Sequence, residues 1–127
     1  MKGLDGMARK ISVIVLALFV TTILTKGRVF AASAEENYKW FCAQCHGLQG
    51  KGDGPNATKE MPVNPRNHTD AKEMEKLTVA DVENVIRDGG AATSKSTIMP
   101  PWGKTLTDEE VKEIVAYLGK LCNCKFK

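Results

Sequence analysis

The sequence predicts a small all-α domain in which an early helix packs on the last one and loops enclose whatever fills the middle. Three observations predict it. Apolar side chains recur at helical spacing in two distant segments, Tyr38, Phe41, Cys42 and Cys45, then Val111, Ile114, Val115, Leu118 and Leu121. The stretches between carry glycine and proline in clusters, as loops do. No segment alternates convincingly enough to be a strand.

In chain order, a targeting segment comes first. Lys2, Arg9 and Lys10 precede an uncharged apolar run, Ile11 to Thr25, and the small-residue end Ala32-Ser33-Ala34 follows. A basic start, an apolar stretch and an A-x-A end describe a secretory leader. Residues 1–34 are therefore assigned to the leader, with cleavage after Ala34 or, as second choice, after Ala31, and residues 35–127 to one functional domain. An uncleaved anchor is the competing reading, but fifteen residues are short for a span, which needs about 20. Either reading places the domain outside the cytoplasm, in a periplasmic or equivalent compartment.

The first helix is expected from about Glu35 to Ala43, followed by loop from Gly47 to Pro65. A short helical turn is expected over Asp70 to Lys76. Thr78 then caps a helix with Asp81 three residues on; Val79, Val82, Val85 and Ile86 form its apolar face, and Gly89-Gly90 end it. Pro100-Pro101 keeps the next loop non-helical. Thr107 and Glu110 form a capping box for the last helix, with Asp108, Glu109 and Glu110 in its first turn, where acids favour the helix dipole.

Composition narrows the function. The formal charge of +3 is a property of the leader, because residues 1–34 hold five of 18 basic residues and one of 15 acids, leaving the domain at −1. Nucleic-acid binding loses its electrostatic support. A 93-residue domain is also marginal without a staple, so a metal, a disulfide or a large apolar cofactor is expected to complete its core.

The stretch "FCAQCHGLQGKGDGP" points to which one. Cys42, Cys45 and His46 form C-x-x-C-H, in which two thiols can add to the vinyl groups along one porphyrin edge and the adjacent imidazole can bind the iron. Thiol exchange needs C-x-x-C at the start of a helix after a strand, whereas here an apolar helix precedes it. A structural zinc site needs four ligands, and Cys122 and Cys124 are spaced unusually for one. Haem attachment fits best, with those two chemistries as the alternatives. For a sixth iron ligand the candidates are Met61, Met74, Met99, His68, Cys122 and Cys124. Met99 is the strongest, held in a loop stiffened by Pro100-Pro101; the plain alternative is a gap-filling methionine. His68 is expected at the surface.

Together "CAQCHG", "GKGDGP", "MPPWG" and the capped helix ending "IVAYLGKL" resemble a class I c-type cytochrome over essentially the whole domain. The resemblance implies the cytochrome c-like fold, with N- and C-terminal helices packed together around one covalently bound haem. It implies His46 as proximal and Met99 as distal ligand, Arg66 and Trp102 as contacts to the haem propionates, and a proline carbonyl, from Pro62 or Pro65, holding the proximal imidazole N–H. The tail "LCNCKFK" departs from the family pattern, and for Cys122 and Cys124 a disulfide, two free thiols, contacts to a partner and a thiolate ligand all stay open.

The expected function is a soluble, non-enzymatic shuttle of single electrons between respiratory redox partners. Its donor and acceptor dock transiently, and Lys51, Lys95 and Lys104 could form a local basic ring. The chain then has no stable membrane insertion once the leader is removed. Two alternatives stand beside it: a haem subunit of a larger oxidoreductase, and a binder of small gases (NO or CO) or peroxidase-like site with a weak or thiolate sixth ligand.

Overall fold

The structure, a computed structural model, describes residues 32–127; the expected leader lies outside the described residues except for its last three. Helices and loops make up these residues, with no strand among them. The first helical segment is continuous but not uniform. It opens as α1 (Ala34–Asn37), widens into a π-helical turn (Tyr38–Cys42) and closes as α2 (Ala43–His46). Ser33 and Glu36 form a capping box at its start, a motif readable in S-A-E-E and absent from the expectation above. The segment therefore runs three residues further than expected, through the whole of C-x-x-C-H. In the π turn the Ala43 N–H reaches back to Tyr38 O, one residue further than an α-helical bond.

Helix α3 (Ala71–Met74) is a single turn capped by Asp70. Helix α4 (Val79–Ala92) carries the Thr78–Asp81 box. Its backbone breaks at Gly89, where φ is 78°, and one further turn continues to Ala92 instead of stopping at the glycine pair. Helix α5 (Asp108–Cys122) has the expected Thr107–Glu110 box and ends on Asn123 in the left-handed conformation.

Both α1 and α4 pack on α5. Val111, Ile114, Val115 and Leu118 of α5 are buried and meet Tyr38, Met74, Val82, Ile86 and Leu106 in one core. Each such aliphatic side chain contributes about 1.5–3 kcal/mol by leaving water. Val79, expected on the buried face of α4, sits in its first turn and stays exposed. The Asn37 amide donates to the Glu110 carboxylate, so the α5 cap also ties the two terminal helices. Past α5, Cys122 and Cys124 are joined in a disulfide, and the Lys127 N–H donates to Leu77 O, returning the tail to the α3–α4 junction.

Candidate functional site

The carbonyl end of α2 needs partners, since the last turn of any helix leaves its C=O groups free. The glycine loop supplies them. Gly52, Gly54 and Asn56 donate their N–H groups to the carbonyls of His46, Cys45 and Gln44. A side chain at Gly54 would meet the Gln44 and Ala43 carbonyl oxygens at 2.4 and 2.5 Å, so only glycine lets the loop come this close. The loop thus holds C-x-x-C-H from behind.

Cys42 and Cys45 are free, half-buried thiols. Burial foremost, and then the neighbouring Cys45, pushes the Cys42 thiol up to about 12. His46 Nδ1 lies 2.9 Å from the Arg66 carbonyl oxygen. A carbonyl oxygen can only accept, so Nδ1 carries the proton and Nε2 is left with a free lone pair. Burial holds the His46 imidazole below its usual pKa, which keeps that lone pair available. The carbonyl partner is Arg66 and neither Pro62 nor Pro65: it is the carbonyl one residue past Pro65 that lies opposite the ring.

Met99 arrives through a hydrogen-bond exchange at Gly89. In an unbroken helix the Gly90 N–H would donate to Ile86 O. Here it donates to Met99 O at 3.0 Å, while the freed Ile86 and Arg87 carbonyls accept from Trp102 and Gly103. A side chain on Gly89 would meet Met99 O and Pro101 N at 2.9 Å. The M-P-P-W-G loop is thereby sewn into the broken end of α4, and both Met99 and Trp102 are half-buried against the core. Trp102 packs on Phe41, ring centroids 5.2 Å apart.

These residues meet in one cavity of about 720 Å³, lined by Cys42, Cys45, His46, Met99, Arg66 and Trp102 among others. Its inner wall is apolar, formed by Phe41, Val82, Ile86, Ile114 and Leu118, and its rim carries Asp70, Glu73, Asp81 and Lys95. The size lies within the range of cofactor sites, about 300–1,000 Å³. Two thiols side by side, an imidazole nitrogen with a free lone pair, a thioether and a flat apolar wall are a donor set that fits a covalently held porphyrin iron. Among the described residues no cluster of His, Cys, Asp and Glu suits a bare metal ion.

Other expectations change. Cys122 and Cys124 are bonded to each other and line no part of this cavity, which removes a thiolate from the candidate sixth ligands. The Arg66 guanidinium lies 3.9 Å from Glu73 at the rim, while its carbonyl holds His46. Met61 and Met74 line the cavity too, Met74 being fully buried in the core. His68 is not at the surface. It is 8 % exposed, stacked on His46 with ring centroids 4.1 Å apart, and burial pushes its pKa down to about 3. A histidine in a polar turn gave no periodic signal of burial, so nothing in the sequence marked it.

Among the described residues no helix is long and apolar enough to cross a membrane. None of the curated proteins matches the chain. A solved structure described as KustC0563 c-type cytochrome is similar, with a TM-score of 0.57 and 23% identity over 71% of this chain and 98% of that one; at that identity it supports the fold. Residues 30–118 match the family described as cytochrome C oxidase, cbb3-type, subunit III. With a fold of terminal helices enclosing a thiol-, imidazole- and thioether-lined cavity, the chain belongs to the class I c-type cytochromes, electron-transfer proteins that bind haem c covalently.

Proposed function

We propose that the domain is an extracytoplasmic carrier of single electrons, holding one haem c through Cys42 and Cys45 with His46 and Met99 as axial ligands. The observation that carries this reading is the placing of His46, its Nδ1–H committed to the Arg66 carbonyl, in the same cavity as Met99. When bound, the haem iron supplies a one-electron couple, and a thioether ligand favours its ferrous state. The chain's part is to orient and to shield. Arg66 O fixes the tautomer and angle of His46, the broken end of α4 presents Met99, and Phe41, Ile86 and Leu118 exclude water. Arg66 and Trp102 line the same cavity, and in this reading they contact the propionates.

The leader reading supports export, and donor and acceptor would dock weakly at the cavity mouth, in the manner of redox encounters below about 1,200 Å². The family description favours a second reading, a haem subunit of a larger oxidoreductase. Gel filtration of the native protein separates the two: elution as a free monomer speaks against a stable subunit.

The ferric absorption spectrum tests the ligation. A weak long-wavelength sulfur-to-iron band is expected in the parent and is lost in Met99→Ala, whose reduced form then binds CO rapidly. A parent protein that lacks the band and binds CO at neutral pH overturns the carrier reading in favour of a gas-binding site.

A further inference from the structure

His68 and Tyr38 are buried polar groups that ligation by His46 and Met99 does not use. Tyr38 is 1 % exposed, and its hydroxyl lies 3.3 Å from Gly47 O and 3.1 Å from His68 Nδ1. The hydroxyl has one proton, so it can donate to only one of the two. The Gly47 carbonyl only accepts, so Tyr38 donates there and His68 Nδ1–H donates to the Tyr38 oxygen. The His68 backbone is pinned as well, its N–H donating to Gly50 O at 2.6 Å. The ring so held lies nearly parallel to His46, at 18° and 4.1 Å between centroids.

These contacts close a loop around the proximal side. Gly47 follows His46 directly, and Arg66, which accepts from His46, stands two residues before His68. The Arg66 bond fixes one atom of the His46 ring but leaves the ring free to swing about it. A flat neighbour anchored through its own Nδ1 removes that freedom. Tyr117 packs on Tyr38 from α5, so the brace extends into the terminal-helix contact.

We propose that His68, braced by Tyr38, is a positioning residue that fixes the plane of the His46 imidazole and thereby tunes the haem centre. This inference rests on His46 being the proximal ligand.

The test uses the holoprotein and three variants, His68→Leu, His68→Phe and Tyr38→Phe. In the ferric state the paramagnetically shifted haem-methyl resonances report the orientation of the axial imidazole plane, and voltammetry reports the potential. His68→Leu is expected to reorder the methyl shifts and move the potential. Tyr38→Phe is expected to move both the same way by less. His68→Phe, which keeps a flat ring, is expected to restore the methyl pattern towards the parent. Unchanged shifts and potential in a folded, haem-loaded His68→Leu overturn the proposal. So does a His68→Phe protein as disturbed as His68→Leu. Should His68→Leu fail to fold, Tyr38→Phe decides, parental shifts and potential counting against the brace. Failure of the underlying ligation looks different: His46→Ala would then keep the parent's low-spin spectrum.

Discussion

Single residues decide how the site is held, and Gly89 is the sharpest case. At φ 78° and ψ 171° it sits in a region essentially reserved for glycine, where other residues pay about 1–3 kcal/mol, and a methyl group there would also press on Met99 O. Gly89→Ala is expected to destabilise the holoprotein by more than about 1 kcal/mol, read as a lower thermal midpoint. It should also weaken the sulfur-to-iron band, because the same exchange of hydrogen bonds presents Met99. A variant with parental midpoint and band would show that the loop holds itself. His68 teaches the opposite lesson about residues. Nothing in "NPRNHTD" signals burial, and its placing depends on Tyr38, 30 positions away.

At the scale of elements the helix caps carry the predictions. The Thr107 backbone N–H, then its hydroxyl, then Asn37 hold the Glu110 carboxyl below its usual 4.5. A carboxylate lowered in the folded chain stabilises it above the unfolded pKa, and that contribution disappears as pH falls through the folded value. Thr107→Ala is expected to cost about 1 kcal/mol at neutral pH. Its deficit should shrink below about pH 4.5, measured as urea midpoints at pH 7 and pH 4. A deficit that stays constant across that range would leave only the pH-independent bond from the Glu110 N–H and remove the hydroxyl–carboxylate contribution. The Ser33–Glu36 box bears on processing. Cleavage after Ala34 would discard the Ser33 cap, whereas cleavage after Ala31, the second choice on sequence alone, keeps it. On the leader reading, the mature protein is therefore expected to begin at Ala32, which the intact mass of the purified protein checks. A chain starting at Glu35 would mean that the cap is dispensable.

The domain over residues 32–127 is built around a cavity that its own side chains line. This cavity of about 720 Å³ is lined by residues of α4, α5 and the C-x-x-C-H segment. For a domain of this size that is a large share of the interior, and small domains have little stability to spare. On the proposed attachment, a Cys42→Ala/Cys45→Ala protein cannot hold haem covalently and is expected to lose its near-UV circular dichroism and its cooperative thermal transition. Retention of both in the haem-free chain would show that protein packing alone suffices. The Cys122–Cys124 bond, by contrast, spans two positions and contributes only locally, since closing so short a loop removes little chain entropy.

The sequence by itself determined the all-α class, the cofactor chemistry and most helix boundaries. Those rest on local physics: apolar spacing at 3.6 residues, caps at fixed offsets, and two thiols and an imidazole inside five positions. Even the missed Ser33 box was legible. Long-range closure decided the rest. The partner of His46 is the Arg66 carbonyl because the 47–66 loop folds back on α2, and a backbone acceptor has no side-chain identity to read. The tail cysteines could have been free, bonded or ligating, and their distance from the cavity and their bond to each other are tertiary facts. The burial of His68 beside His46 is another, since stacking between residues 22 positions apart exists only once the chain has closed around its cofactor space.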